Sequence, residues 1–150
     1  MDNNLKISSV FEEDTFIPVL HTCQWKNINP EIRVWNIPAD AESLALIMDD
    51  PDAPNGTFVH WVAWNIPIGS ITEWSSGKGK YMEWINSIWK DSYLWPCSPV
   101  WHWIHHYYIQ VFALDAMLEL DWIVDNERLL KEMEWYVLSE WELVWLYERE

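Results

Sequence analysis

Short apolar segments separated by turn-forming residues constrain the fold of this chain more than any other feature. Segment 43–48 is continuously apolar, 58–66 is apolar on both alternating faces, and 105–114 carries a third strong strand pattern. Apolar runs this short are typical of strands buried within a sheet, whereas core helices need longer periodic segments. Weaker patterns predict further strands at 5–11, 31–35 and 143–147.

A helical pattern occurs late in the chain. Asp125 can cap a helix over 126–136, which places Leu130, Met133 and Val137 on one face. Many short strands with one late helix predict a mainly β fold, an antiparallel β-sandwich with a short C-terminal helix. Residues 69–103 lack a sustained period and predict a long loop, which in a domain is usually functional.

Length and charge narrow the function classes. The 150 residues are half hydrophobic, a size and composition that predict a single domain over 1–150. Lys and Arg total 9 against 24 Asp and Glu, so the net charge of -15 excludes a basic face for nucleic acid or anionic lipid.

Residues 1–11 show no signal-peptide core, and no apolar run could cross a bilayer. A cytoplasmic protein is predicted, with Cys23 and Cys97 as free thiols.

Three groups of residues could carry chemistry. Asp50 and Asp52 lie in a turn that two prolines make rigid, although an isolated acidic turn is usually only solvated. His60 lies inside a buried strand, where a histidine is more often a hydrogen-bonded core residue. His102, His105 and His106 could suggest zinc, but strand alternation turns the last two to opposite faces, and no paired cysteines support a metal site.

Taken together, these segments indicate a protein family much more specifically than any one of them does alone. The sequence has Asp-Pro-Asp-Ala-Pro at 50–54, His-Trp at 60–61, Pro-Cys-Ser-Pro at 96–99, His-His-Tyr at 105–107 and Ala-Leu-Asp at 113–115. This series resembles the phosphatidylethanolamine-binding protein family, most closely its bacterial and archaeal branch, which is often labelled Raf kinase inhibitor-like. The resemblance covers nearly the whole chain.

The resemblance implies two antiparallel sheets and a small pocket that takes phosphate or a phospholipid headgroup. We predict no cofactor and no bound metal, with a metal on the histidines kept as a minor alternative, and the resemblance places neither His102 nor His106 in the pocket. The imidazoles of His60 and His105 would donate to the anion, so affinity should rise as pH falls toward about 6. The ligand-binding residues that it implies are Asp50, Asp52, His60, Trp95, Pro96, His105 and Tyr107.

The leading function is a non-enzymatic binding module for a small anionic ligand. A role as a kinase or protease inhibitor-like regulator follows from the resemblance alone, and a protein partner stays unidentified. The alternative is a hydrolase or transferase on small phosphate esters, with Asp50 and either His60 or His105 as an acid–base pair. Cys97 is the thiol that could serve as its nucleophile. A third possibility is an interaction domain that binds no small ligand.

Tryptophan and glycine occur in abnormal numbers. The chain has 14 Trp and only 4 Gly, and many of the tryptophans lie where a loop needs glycine. Eleven misplaced tryptophans, at about 1–3 kcal/mol each, would exceed the about 5–15 kcal/mol that stabilises a domain. We hypothesise a mistranslation in which the codon UGA, read as glycine by the organism, stands here as tryptophan. Restoring glycine would give 15 Gly and 3 Trp. The positions are Trp25, Trp74, Trp84, Trp89, Trp95, Trp101, Trp103, Trp122, Trp135, Trp141 and Trp145.

Overall fold

Seven strands form two antiparallel sheets in the computed structural model, which describes residues 4–150. Residues 1–3, where the segment without a signal-peptide core begins, lie outside the described residues. The smaller sheet pairs β1 (Lys6–Ser8) with β2 (Arg33–Trp35). The larger sheet has the strand order β5-β4-β3-β6-β7. Its strands are β3 (Ser43–Asp50), β4 (Phe58–Ile66), β5 (Met82–Trp84), β6 (His105–Leu114) and β7 (Val137–Tyr147). The predicted mainly β fold with two antiparallel sheets and a short helix is confirmed.

The larger sheet is covered on both faces because its central strands are apolar on both faces. Leu44, Leu46 and Met48 of β3 belong to the core cluster that includes residues of β1 and β2. Ala45 and Ile47 belong to the cluster on the opposite face, which includes residues of the helix. The alternation continues to the end of β3, so that Asp50 lies on the face of the smaller sheet.

The helix α1 (Asn126–Met133) begins where its cap predicts. The Asp125 carboxylate accepts a hydrogen bond from the Arg128 backbone N–H at 2.9 Å. The predicted apolar face is wrong by one residue, because Leu129 and Met133, four positions apart, are buried while Leu130 is exposed. The helix ends at Met133 and continues as a 3-10 turn, Glu134–Tyr136.

Several strand bounds differ from the predicted ones. Strand β7 begins at Val137, six residues before the prediction, because its first half lies at a sheet edge with one solvated face that carries little apolar signal. Strand β5 lies inside the segment predicted as one long loop and pairs with β4. Among the described residues no helix is long and apolar enough to span a membrane.

Cys23 and Cys97 form a disulfide, so the prediction of free thiols is wrong. Their Cα atoms lie 5.3 Å apart, within the range that a disulfide requires. The two segments also meet through the Cys23 N–H, which donates to the Pro96 carbonyl at 3.1 Å. A separation of 74 residues gave no sign of this pairing in the sequence. The bond fastens the loop that carries Cys97 to the chain near Cys23.

Four of the suspected tryptophans have a backbone conformation that bulky residues rarely adopt. Seven non-glycine residues of the described chain have positive φ: three are Asp or Asn, which tolerate this region, and four are tryptophans with φ of 57° to 64°. Those four are Trp74, Trp89, Trp101 and Trp122, all of them exposed and all among the eleven suspected positions. A bulky side chain with positive φ is a genuine outlier, whereas glycine adopts that conformation at no steric cost.

The remaining suspected positions divide between surface and core. Trp25, Trp103 and Trp135 are exposed, the last at 86%. Trp84 and Trp145 hold a buried Nε1 with no hydrogen-bond partner. By contrast, Trp61 donates to Glu83 at 2.8 Å and Trp35 donates to Ser8 at 3.1 Å. Trp35 and Trp61, which are outside the suspected set, therefore have hydrogen-bonded indoles, whereas Trp84 and Trp145 do not.

Candidate functional site

A cavity of about 290 Å³ lies where the end of β3, the starts of β4 and β6, and loop 94–99 meet. It is lined by Asp50, Ala53, Pro54, Asn55, Phe58, His60, Leu94, Trp95, Cys97, Ser98, Pro99, His105 and Tyr107. Five of the seven predicted ligand-binding residues therefore line one cavity. The two that do not are Asp52 and Pro96. Pro96 is a buried residue of this loop, and the Asp52 carboxylate lies against His106.

Asp50 is a buried carboxylate that accepts hydrogen bonds from several neighbours. Its Oδ1 accepts from the Asp52 N–H at 2.9 Å, and its Oδ2 lies 2.6 Å from His105 Nδ1. The side chains of Asp50 and His105 are only 4% and 1% exposed. Burial, followed by the charge of Asp50 and a hydrogen bond with it, raises the pKa of Tyr107 well above its ordinary value.

A β-bulge places His60 in the cavity. Along β3 and β4, Met48 pairs with Trp61 and Asp49 pairs with Val59, so His60 is the extra residue. A bulge of this kind re-aims a side chain that plain alternation would send to the other face. The imidazole consequently lies beside Tyr107, with ring centroids 5.1 Å apart.

The hydrogen bond of His60 determines its tautomer. His60 Nδ1 lies 3.0 Å from the Leu94 carbonyl oxygen, which can only accept, so Nδ1 carries the hydrogen. In the neutral ring Nε2 then holds a lone pair. Burial lowers the pKa of His60 to about 4, although the bond to Leu94 and the charge of Asp50 oppose this shift. In the ligand-free protein His60 therefore presents an acceptor near pH 6, which argues against the expectation that it donates to an anion.

His102 joins the site from behind His105, which the sequence did not indicate. His102 Nδ1 lies 2.6 Å from His105 Nε2, while the other ring nitrogen of His105 faces Asp50. The three side chains form a continuous chain, Asp50–His105–His102. Both nitrogens of His105 are thereby engaged by the protein.

Asp52 and His106 form a separate pair outside the cavity. Asp52 Oδ2 lies 2.7 Å from His106 Nδ1 and accepts the His106 backbone N–H at 2.8 Å. Burial acts to raise the pKa of Asp52, but these hydrogen bonds outweigh it and hold the pKa below its ordinary value. The prediction that His106 turns away from the pocket agrees with this position.

Hydrogen-bond donors lie on the loop side of the cavity. Ser98 is buried, and its hydroxyl has no hydrogen-bond partner. The backbone N–H groups of Cys97 and Ser98 also find no partner within residues 4–150. Buried polar groups are almost always satisfied in folded proteins, so the unpaired Ser98 hydroxyl beside the cavity indicates a ligand with an acceptor atom.

A wider groove of about 400 Å³ lies elsewhere, on β6 and β7. It is lined by Glu140 and Glu142, together with Gln110, Phe112 and Trp141. Near it, burial and the charges of Glu142 and Asp50 raise the pKa of Asp49 to about 6. Such an acidic surface repels anions, so this groove does not suit the ligand that resemblance implies. Within the described residues, no three His, Cys, Asp or Glu side chains cluster as metal ligands would.

Burial of neutral His60 makes stability depend on pH. Its folded pKa of about 4 lies below the unfolded value, so stability is complete above about 6.5 and is lost as pH falls toward 4. The loss attributable to His60 is about 3 kcal/mol. We expect His60→Asn, whose amide can still donate to Leu94, to remove this component. Urea unfolding at pH 7 and pH 4 measures it.

The pH-dependent loss of stability must be compared between wild type and variant, because Asp49 contributes in the opposite direction. Its raised pKa stabilises the fold as pH falls. The wild type should lose about 3 kcal/mol more than His60→Asn between the two pH values. Ser70→Ala, which changes an exposed residue outside the cavity that does not titrate, should behave as the wild type does. Equal losses in wild type and His60→Asn would contradict the assignment.

Comparisons with known proteins agree on one family. The family model for the phosphatidylethanolamine-binding protein matches residues 7–148. A UPF0098 protein of Pyrococcus abyssi is 43% identical over 97% of this chain and 85% of its own length. A UPF0098 protein of Methanothermobacter thermautotrophicus is 38% identical over 97% of this chain and 99% of its own.

Solved structures give the same result for the fold. A phosphatidylethanolamine-binding protein homolog from Chlamydia trachomatis superimposes with a TM-score of 0.91 at 29% identity, covering 99% of this chain and all of the other. Escherichia coli YbcL, described as a new member of the mammalian family, gives a TM-score of 0.87 at 19% identity over 98% of this chain and 99% of its own.

Proposed function

The chain belongs to the phosphatidylethanolamine-binding protein family, and on that premise we propose that its cavity is a non-enzymatic binding site for a small phosphate-like anion. A phosphorylated headgroup is the larger member of the same ligand class. The volume of about 290 Å³ suits such a ligand rather than a long lipid chain.

The observation that carries this proposal is the unsatisfied donor group at Ser98. The buried hydroxyl has no protein partner, and the adjacent N–H groups have none either. An anion in the cavity would accept these hydrogen bonds, and each bond to a charged acceptor contributes about 1.5–3 kcal/mol.

The alternative function, hydrolysis or transfer of a phosphate ester, has one supporting contact. Asp50 lies 2.6 Å from His105 and could act with it as an acid–base pair. A nucleophile for such a reaction is harder to assign. Cys97 is held in the disulfide, and the Ser98 hydroxyl is not hydrogen-bonded to a base.

Calorimetric titration with inorganic phosphate tests the proposal. The wild type should bind phosphate, and Ser98→Ala should bind about tenfold more weakly because one hydrogen bond to the anion is lost. Ser70→Ala, which changes an exposed serine outside this cavity, should bind as the wild type does. Phosphate release from an aryl phosphate ester, abolished in Asp50→Ala, would instead support the enzyme. If the wild type neither binds phosphate nor releases it from the ester, the remaining possibility is an interaction domain that binds no small ligand.

The proposal also includes the cellular compartment of the protein and the class of its protein partner. A disulfide persists most readily in an oxidising environment, so Cys23–Cys97 favours such an environment over the cytoplasm. The role as an inhibitor-like regulator of a kinase or protease comes from the family resemblance and needs a protein partner that is still to be identified.

We also propose that glycine occupies the eleven suspected tryptophan positions in the native protein. Four of them hold the positive φ that glycine adopts readily, and two others leave a buried indole N–H unpaired. One of the eleven, Trp95, lines the cavity, so the native cavity would be more open at that side. The codons decide the matter: UGA at Trp74, Trp89, Trp101 and Trp122 agrees with the proposal, and UGG contradicts it.

A further inference from the structure

The strand side of the cavity presents hydrogen-bond acceptors, in contrast to the loop side. His60 donates through Nδ1 to the Leu94 carbonyl at 3.0 Å, which leaves the Nε2 lone pair as its remaining polar group. Asp50 accepts from the Asp52 N–H and lies against His105 and Tyr107. A carboxylate has about four lone-pair sites, so one acceptor position of Asp50 remains.

His105 supplies no donor to change this balance. Its Nδ1 lies 2.6 Å from Asp50, and its Nε2 lies 2.6 Å from His102 Nδ1. No Lys or Arg is among the described residues that line the cavity. Arg149 lies at the rim, where its guanidinium is 3.6 Å from the Cys97 sulfur. A ligand that fills the cavity therefore meets donors on the loop side and acceptors on the strand side.

On the basis of the proposed anion site, we propose that Asp50 and His60 select oxyanions that carry their own O–H group. Such a ligand donates its O–H to the acceptors and offers its charged oxygens to Ser98 and the loop N–H groups. Inorganic phosphate and a phosphate monoester monoanion meet this requirement. Sulfate and a phosphate diester have the shape and charge but no O–H at neutral pH, so they place unpaired lone pairs against Asp50 and His60.

Burial keeps this acceptor in place over the physiological range. Burial lowers the pKa of His60 to about 4, so its ring stays neutral well above that pH. A protonated imidazole would donate through Nε2 and remove the discrimination. Selectivity is thus built from a tautomer that the Leu94 carbonyl imposes and from a carboxylate that the fold buries.

Calorimetric titration at pH 6 with inorganic phosphate, methyl phosphate, dimethyl phosphate and sulfate tests the proposal. The wild type should bind the first two and should bind dimethyl phosphate and sulfate at least roughly a hundredfold more weakly, because a site built for an O–H rejects its absence strongly. The diester arm also separates the two sources of the ligand, since a phospholipid carries its phosphate as a diester.

Two variants locate the origin of the selectivity. Asp50→Asn introduces an amide donor, and the ratio of phosphate to sulfate affinity should fall by at least about tenfold. His60→Asn retains the donor to Leu94 and removes the Nε2 acceptor, so the ratio of phosphate to sulfate affinity should fall in this variant as well. It also tests the proposal if Asp50→Asn does not fold. Asp52→Asn, adjacent but outside the cavity, is the matched control and should keep the wild-type ratio.

The outcomes separate this inference from the proposed function. Equal affinity of the wild type for phosphate and sulfate would overturn the selectivity while leaving the anion site intact. Loss of selectivity in Asp52→Asn, with Asp50→Asn and His60→Asn unchanged, would also overturn it. Absence of binding for all four anions would overturn the proposed function itself.

Discussion

Replacing Trp74, Trp89, Trp101 and Trp122 by glycine should raise the free energy of unfolding by about 4 kcal/mol. Each of these residues has a φ near +60°, which costs an L-residue roughly 1–2 kcal/mol. Glycine adopts the same conformation without a Cβ clash but has more freedom to lose on folding, so we take about 1 kcal/mol as the net gain per site. Urea unfolding of the fourfold variant and of the protein with tryptophan measures the difference.

Trp35→Gly is the matched control for this experiment. Trp35 is also exposed, at 55%, but it lies in β2, and its indole N–H donates to Ser8. Glycine weakens a strand interior, so this variant should lose stability where the fourfold variant gains it. Equal stability of the fourfold variant and the tryptophan protein would contradict the native-glycine proposal.

Opening the Cys23–Cys97 bond should lower the free energy of unfolding by about 4 kcal/mol. The bond joins residues 74 apart in sequence, and a loop of this length removes that much chain entropy from the unfolded state. Urea unfolding with and without a thiol reductant measures the effect. We expect the denaturation midpoint to fall without loss of the folded state, since the core clusters of the two sheet faces do not depend on the bond.

The double variant Cys23→Ser/Cys97→Ser provides the control for reduction. It should be as unstable as the reduced wild type, and the reductant should not change it further. A single variant, Cys97→Ser, leaves Cys23 unpaired and should match the double variant within a small margin. If thiol labelling shows full reduction while the denaturation midpoint stays unchanged, the stabilising role assigned to the disulfide is wrong.

Local patterns predicted the sheet well where strands are covered on both faces. The apolar runs of β4 and β6 predict their bounds without error, since most positions on both faces of these central strands are buried. Strand β7 was predicted at only half its length because its early residues alternate between a half-buried and a solvated face. Strand β5 has three residues and depends on its pairing with β4, a contact that no local pattern records.

The candidate site was predicted as a set of residues rather than as an arrangement. Asp50, His60, His105 and Tyr107 were identified by resemblance, and all four line the cavity. The orientation of His60 depends on a bulge, which arises from the register of two strands and has no signature in one strand alone.

Long-range contacts account for the rest of what the sequence did not indicate. His102 lies three positions before His105 in a segment without periodicity, and only the loop conformation brings the two rings together. Asp52 differs from Asp50 because β3 ends at Asp50, and Asp52 lies in the turn that follows, where its carboxylate pairs with His106. The spacing of Cys23 and Cys97 fits pairing or free thiols equally well until the fold is known.

Anomalous diffraction from crystals soaked in arsenate tests the anion site most directly. Arsenate has the shape, charge and O–H groups of phosphate, and arsenic identifies its own position. We predict an arsenic peak in the cavity, with arsenate oxygens within hydrogen-bonding distance of Ser98 on the loop side and of His60 Nε2 on the strand side. A cavity without arsenic, in crystals where arsenic binds elsewhere on the surface, would contradict the account.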